Sequence, residues 1–167
     1  MDCFKGLEFE VIKEDDIEKL TQIMKRAFDE DTKIHLNEPH GGPDGYDNGD
    51  FLRKYALDSK SDAYKIAKNG RLIGAAIVWI NEDHINYLGN IFIDPQFQNN
   101  GTGTLIWNFI EKRYSETKVW RTDTPGYSKR NHNFYINKCG FKVIKILNPF
   151  SKYEESYIME KIMFKQE

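Results

Sequence analysis

Residues 98–104 read QNNGTGT, and an apolar run with helical spacing, LIWNFI, follows at 105–110. Glycine is about 1 kcal/mol worse than alanine inside a helix, so two of them at a helix start ask for a reason. No Asp or Glu stands in that first turn, where an acid would complement the positive end of the helix dipole. A ligand that brings its own negative charge explains both features. A helix N-terminus presents unpaired N–H groups and a partial positive charge, which together bind anions, and glycine lets the backbone approach closely because no Cβ intervenes. Gln98, Asn99, Asn100, Gly101, Thr102, Gly103 and Thr104 are therefore candidate phosphate-binding residues. Taken alone, the stretch fits equally well a glycine-rich turn that binds nothing. Two common phosphate patterns fail: a P-loop needs a lysine after its last glycine, where Thr104 stands, and a dinucleotide fingerprint needs a third glycine, where Ile106 stands.

A second region with chemical potential is HGGPDGYDNGD at 40–50. Its three glycines before Gly49 and one proline impose a defined turn, and Tyr46 within it is more than a flexible linker needs. From Asp29 to Asp50 seven acids (Asp29, Glu30, Asp31, Glu38, Asp44, Asp47, Asp50) face one basic residue, Lys33. Such a rim attracts a cationic amine; it also fits a solvated acidic loop. Asp44, Tyr46 and Asp47 are the candidate ligand-binding residues of this segment; Asp123, in TDTP, is a further candidate that alternatively caps the following turn. His35, His40, His84 and His132 form no HxH or HxxxH pair, and Cys3 and Cys139 have no metal spacing, so no metal site is expected.

The elements that must position these residues follow from periodicity. LEFEVIKE (7–14) alternates as a strand. Asp15 and Asp16 then open a helix whose apolar face is Ile17, Leu20, Met24, Ala27 and Phe28. The stretch 29–50 reads mostly as loop, and a short helix follows at 51–57. AYKIAK (63–68), the pair Asn69-Gly70 and RLIGAAIVWI (71–80) form a hairpin. HINYLGNIFID (84–94) is a third strand, ended by Pro95. TLIWNFIEKRYSE (104–116) reads as a helix, KVWRTDT (118–124) as a strand and KRNHNFYINKC (129–139) as a helix; FKVIKIL (141–147) and SYIMEKIMFK (156–165) complete a mixed α/β sheet.

The 167 residues suit one domain, 1–167, and 40% hydrophobic content supports a core. A net charge of −2 argues against duplex nucleic acid as a partner. The acidic start MDCFKGLEFEVIKEDD lacks a long apolar segment, and the longest apolar stretch, 72–80, is far short of the roughly 20 residues a membrane span needs. Two lone cysteines fit reduced thiols in the cytoplasm.

An apolar strand ending IFIDP, then Gln98 three residues after Pro95, Gly101 three later, and Gly103, resembles the (Q/R)xxGx(G/A) motif of the GNAT acetyltransferases. The specific part runs from Leu88 to Trp107; the order of elements is similar over nearly the whole chain. The resemblance implies a mostly antiparallel sheet with splayed central strands, flanked by helices, and acetyl-CoA as co-substrate without a metal. The backbone of 98–104 would cradle its pyrophosphate, and the main chain of Ile91, Phe92 and Ile93 would pair with pantetheine. Family members often carry an Asn on the penultimate helix, then FY, then GF; here these are Asn131, Phe134-Tyr135 and Gly140-Phe141. The resemblance makes Tyr135 the acid that protonates the leaving thiolate. The family spacing FYxxxGF is one residue longer here, FYINKCGF; counting back from Gly140 would put Ile136 in the tyrosine's place, and one residue turns a helix by about 100°. Tyr135 is favoured because a bulge after it can absorb the extra residue. The resemblance puts the 40–50 segment, with Asp44, Tyr46 and Asp47, beside the acceptor, and Asp123 where the splayed strands meet it; the expected activity is N-acetylation of a primary amine on a small, cationic acceptor. The rivals are a peptide or protein acetyltransferase and a non-catalytic acyl-CoA-binding module. A homodimer through the C-terminal strand is left open.

Overall fold

The computed structural model describes residues 1–164; Lys165, the last residue of the expected final strand, lies outside them. Eight strands form one sheet: β1 (Asp2–Phe4), β2 (Leu7–Val11), β3 (Ser61–Lys68), β4 (Arg71–Trp79), β5 (Ile85–Ile93), β6 (Val119–Pro125), β7 (Lys142–Leu147) and β8 (Ser156–Ile162). Their order is β1-β2-β3-β4-β5-β6-β8-β7, and among the described residues only the β5–β6 pair is parallel. The helices are α1 (Ile17–Leu36), α2 (Asp50–Tyr55), α3 (Thr102–Arg113) and α4 (Lys129–Asn133).

Alternation along the strands sends apolar residues to both faces, so each face needs a helical cover. Leu7, Ile66, Ile73, Val78, Leu88 and Trp120 pack with Ile106, Trp107, Phe109 and Ile110 of α3. On the other face Ala63, Ala75, Ile77 and Phe92 pack with Ile17, Leu20, Ile23, Met24 and Ala27 of α1 and Leu52 of α2. Asn69 (φ 50°) and Gly70 (φ 76°) make the hairpin turn that joins β3 to β4, the left-handed pair that matches strand twist.

Two features differ from the sequence reading. Strand β1 is too short to carry periodicity; it is fixed by pairing Asp2 with Phe9 and Phe4 with Leu7 through a Lys5-Gly6 turn. Helix α1 runs eight residues past Phe28 into the stretch expected to be loop. Its last turns bury Asp31 and Thr32 rather than apolar residues, so hydrophobic spacing does not reveal them; left-handed Asn37 (φ 55°) stops it. The edge strand β7 leaves Val143, Ile144, Ile146 and Leu147 exposed.

Candidate active site

The parallel β5–β6 contact lasts only from Ile85–Val119 to Tyr87–Arg121. Just before the strands part, β5 bulges against β4: Leu88 pairs with Val78 and Asn90 with Ile77, leaving Gly89 as the extra residue. A Cβ on Gly89 would lie 2.2 Å from Trp79 Cζ3, so the glycine is there because the indole crosses the bulge. The Thr122 hydroxyl donates to the Leu88 carbonyl at 2.8 Å, and the Tyr87 hydroxyl donates to Asp123 Oδ1. These two bonds close the vertex of a wedge that opens toward the C-terminal end of β5.

A cleft of about 430 Å³ occupies the open end of that wedge. It is lined by Ile91, Phe92 and Ile93 of β5, by Gln98, Asn99, Gly101, Gly103 and Thr104, and by Asn131. Of the residues expected to hold the cofactor, only Asn100 and Thr102 lie outside the lining. Thr102 is buried, and the Asn100 carboxamide accepts from its N–H and its hydroxyl. The Gln98 side chain donates to the Ile93 carbonyl at 2.7 Å, which latches the loop to the strand it follows. Asn99 (φ 62°) and Gly101 (φ 83°) are left-handed and turn the chain into α3. Gly101, the residue capping α3, makes no side-chain cap bond, and no acid stands in the first turn. This leaves a positive helix end facing the cleft. Gly103 has an added reason to be glycine: its Cβ would meet Phe134 Cε2 at 2.9 Å.

Helix α4 supplies the opposite wall. Ser128, fully buried, accepts from the Asn131 N–H at 3.4 Å and donates to Asp31 Oδ1 at 3.1 Å. Asn131 donates to Thr124 Oγ1 at 3.2 Å. Beyond Asn133 the helix widens into a π turn over Phe134–Lys138, closed by Cys139 N–H to the Phe134 carbonyl at 3.0 Å. The residue added between FY and GF is taken up there. Tyr135 faces inward and Ile136 faces solvent, 38% exposed. Tyr135 does not line the cleft; it packs edge-on to Phe141 behind it. Burial, then Cys139 and Asp123, push its phenol far above the ordinary value, so it stays protonated. Burial and the bond to Asp123 do the same for Tyr87.

The 37–49 loop departs from the acidic-rim expectation. Tyr46 is a core residue, 8% exposed, edge-on to Phe28. Its hydroxyl donates to Asp29 Oδ1 at 2.6 Å, and Gly41 N–H and His40 reach the same carboxylate. Burial raises Asp29, but the bonds from Lys25, Tyr46, His40 and Gly41 together hold it at about 2. Glu30 pairs with Arg130, Asp31 with His35 and Ser128, and Glu38 with Tyr153 and Lys152. Much of the counted negative charge is thus used inside the fold, while Asp44 and Asp47 remain exposed. Asp123 caps no turn; it sits inside β6 at the vertex. The sequence reading missed Phe134 as a cleft wall, along with Arg130, Lys138 and Tyr87. Phe134 stood in the quoted FY pair; nothing local marked Tyr87, because its partner is 36 residues away. Among the described residues no group of His, Cys, Asp and Glu is arranged for a metal ion, and no helix is long and apolar enough to cross a membrane.

The family model for the Acetyltransferase (GNAT) family matches residues 18–141. The chain belongs to this family. This GNAT chain is therefore an acyltransferase by family, and its sheet, wedge and helices are the GNAT fold. It is 32% identical over 140 residues to YrkN of Bacillus subtilis (strain 168), covering 83% of this chain and 75% of that protein. Among solved structures it is similar to the ribosomal-protein-S18-alanine N-acetyltransferase of Escherichia coli (TM-score 0.73, 16% identity, 96% of each chain). It also resembles the PaiA N-acetyltransferase of Thermoplasma acidophilum in complex with coenzyme A (0.72, 17%, 94% of this GNAT chain and 99% of that one). A third is the spermidine N-acetyltransferase of Vibrio cholerae with coenzyme A and spermine (0.67, 16%, 94% and 95%).

Proposed function

We propose that this protein transfers an acetyl group from acetyl-CoA to a primary amine by direct attack. The observation that carries the reading is the cleft between the acid-free, uncapped start of α3 and Ile91–Ile93 of β5, in the gap that opens beyond the Tyr87–Asp123 vertex. The donor set fits the co-substrate: N–H groups at Gly101–Thr104 suit a pyrophosphate, and the edge of β5 freed by the splay suits an amide-bearing pantetheine. Asn131 and Phe134 wall the other side. The bound thioester supplies an acylated carbonyl carbon and a sulfur leaving group.

The residues then divide the proton traffic. Asp123 attracts the acceptor's ammonium to the vertex, where it loses a proton to solvent before attack. As nitrogen bonds to the carbonyl carbon and the C–S bond breaks, the Tyr135 hydroxyl, packed behind the cleft wall, passes its proton to sulfur through a bridging water, and a proton shed by the new amide nitrogen restores the phenol through solvent. General acid help of this kind contributes about 10²–10⁴-fold. A small acceptor is supported by the β7–β8 hairpin, where Tyr153 and Lys152 reach Glu38 of the 37–49 loop and narrow the approach to a long peptide. The two free thiols, Cys3 and Cys139, fit a reducing cytoplasm.

Thiol release from acetyl-CoA across an amine panel tests the proposal. Release that requires amine and matches N-acetyl product supports it. Tight acetyl-CoA binding without turnover on any amine would make the protein an acyl-CoA-binding module.

A further inference from the structure

On the face covered by α1 and α2, the vertex is flanked by aromatic rings in sequence. Tyr87 lies 6.3 Å from Trp79, Trp79 6.1 Å from Tyr55, and Tyr55 4.7 Å from Phe51, between ring centroids. The Trp79 indole lies over the bulged Gly89, where any side chain would collide with it. Asp123 is on this same face and is oriented by the Tyr87 hydroxyl, which takes up one carboxylate oxygen, Oδ1. Two residues earlier on β6, and so on the same face, Arg121 pairs with Glu160 at 3.1 Å but stays half exposed. One carboxylate, one cation beside it and a wall of rings therefore meet where β5 and β6 part.

That arrangement discriminates among amines. A primary ammonium bonds to Asp123 with charge assistance and gains from the adjacent ring faces. The carbon body attached to it lies along Trp79 and Tyr55 and gains by leaving water. A second cationic centre meets Arg121, which repels it, and four of the seven acids of the facing segment, Asp29, Glu30, Asp31 and Glu38, are bonded within the fold, leaving Asp44, Asp47 and Asp50 as its exposed acids. Resting on the acetyltransferase reading, we propose that Asp123, oriented by Tyr87, and the Trp79 ring over Gly89 select a primary monoamine on an apolar or aromatic body in preference to a polyamine. Asp123 and Trp79 are the specificity-determining residues and Tyr87 is a positioning residue.

Trp79 makes the test optical. Trp107 and Trp120 are 1% and 0% exposed, whereas Trp79 is half-buried at the site, so an amine-dependent change in tryptophan fluorescence reports Trp79. The full chain, saturated with coenzyme A, is titrated with 2-phenylethylamine and with spermidine at matched ionic strength. The expected result is a saturable change with 2-phenylethylamine at a Kd at least tenfold below that for spermidine. Asp123→Asn should weaken 2-phenylethylamine tenfold or more, and Tyr87→Phe by a smaller factor, with unchanged thermal midpoints and unchanged coenzyme A affinity; in turnover both should raise KM more than they lower kcat. Equal or tighter binding of spermidine overturns the selectivity. Binding of 2-phenylethylamine untouched in both variants overturns the residue assignment. If coenzyme A binds and acetyl transfer occurs but neither amine perturbs the tryptophan, this inference fails while the acetyltransferase reading stands; if coenzyme A does not bind, both fail.

Discussion

Replacing Gly103 with alanine probes the cradle most sharply, because the path of the added methyl is known. A Cβ there meets Phe134 Cε2 at 2.9 Å, Phe134 Cζ at 3.2 Å and Ile93 Cδ1 at 3.5 Å. The ring must shift by a few tenths of an ångström, and that ring is a wall of the cleft. Overpacking of this kind costs about 1–3 kcal/mol, while alanine's better helix propensity returns about 1 kcal/mol. At roughly 2–4 °C per kcal/mol for a chain of this size, the net fall in Tm is at most about 8 °C. Coenzyme A affinity should fall more visibly, by about tenfold, or ~1.4 kcal/mol, since Phe134 moves against the bound ligand. Phe134→Leu in the Gly103→Ala background removes the ring edge and should restore much of the affinity, a coupling of about 0.5–3 kcal/mol. Gly101→Ala is the contrast: nothing lies within 4 Å of its Cβ, but φ is +83°, so strain of about 1–2 kcal/mol appears and Phe134→Leu does not relieve it. Isothermal titration with coenzyme A, paired with thermal unfolding, reads the wild type, the three single variants and the two double variants. Unchanged affinity in Gly103→Ala, with no coupling to Phe134, would refute the packing of cradle against ring.

Tyr135→Phe should lower kcat by about 10²–10⁴-fold with little change in acetyl-CoA affinity, and because burial holds its phenol far above the ordinary tyrosine value, the wild-type rate should show no alkaline fall from this group below about pH 10; a silent mutant would remove the acid role. Asp29→Asn should destabilise the protein by about 2 kcal/mol near neutral pH, since Asp29 is held at about 2 against an ordinary 3.8. The sign follows from a depressed folded-state value: the contribution is complete above about pH 4 and lost as pH falls through 2, so urea unfolding of the two proteins should converge in acid, and a gap that persists at pH 2 would contradict the clamp. Asp44→Asn with Asp47→Asn should raise KM for cationic amines only modestly, an effect that fades with added salt; a large, salt-insensitive change would return the 37–49 loop to the acceptor site.

Local signals in the sequence carried most of the fold. The Asn69-Gly70 hairpin and the amphipathic start of α1 appeared as read because each rests on neighbours in the chain. The end of α1 did not, since Asp31 and Thr32 are buried through bonds to Ser128 and Gly41 rather than through hydrophobic spacing. Tyr46 was legible as a residue with a purpose, but its purpose is packing and a bond to Asp29. Asp123 was located at the splay, yet its partner Tyr87 was invisible because the pair spans two strands. The longer FY-to-GF spacing raised the question of helical phase, and only the π turn answers which side chain faces in.

The central claim is that the cleft between the start of α3 and β5, beside the Tyr87–Asp123 vertex, carries acetyl from a thioester to an amine. A single-turnover reaction tests it most directly: enzyme in excess over acetyl-CoA, one amine added, and thiol and N-acetyl product quantified together by mass spectrometry. The account predicts one thiol and one N-acetyl amine per acetyl-CoA consumed, with little acetate. Acetyl-CoA recovered intact with every amine tried, or acetate as the main product, would contradict it.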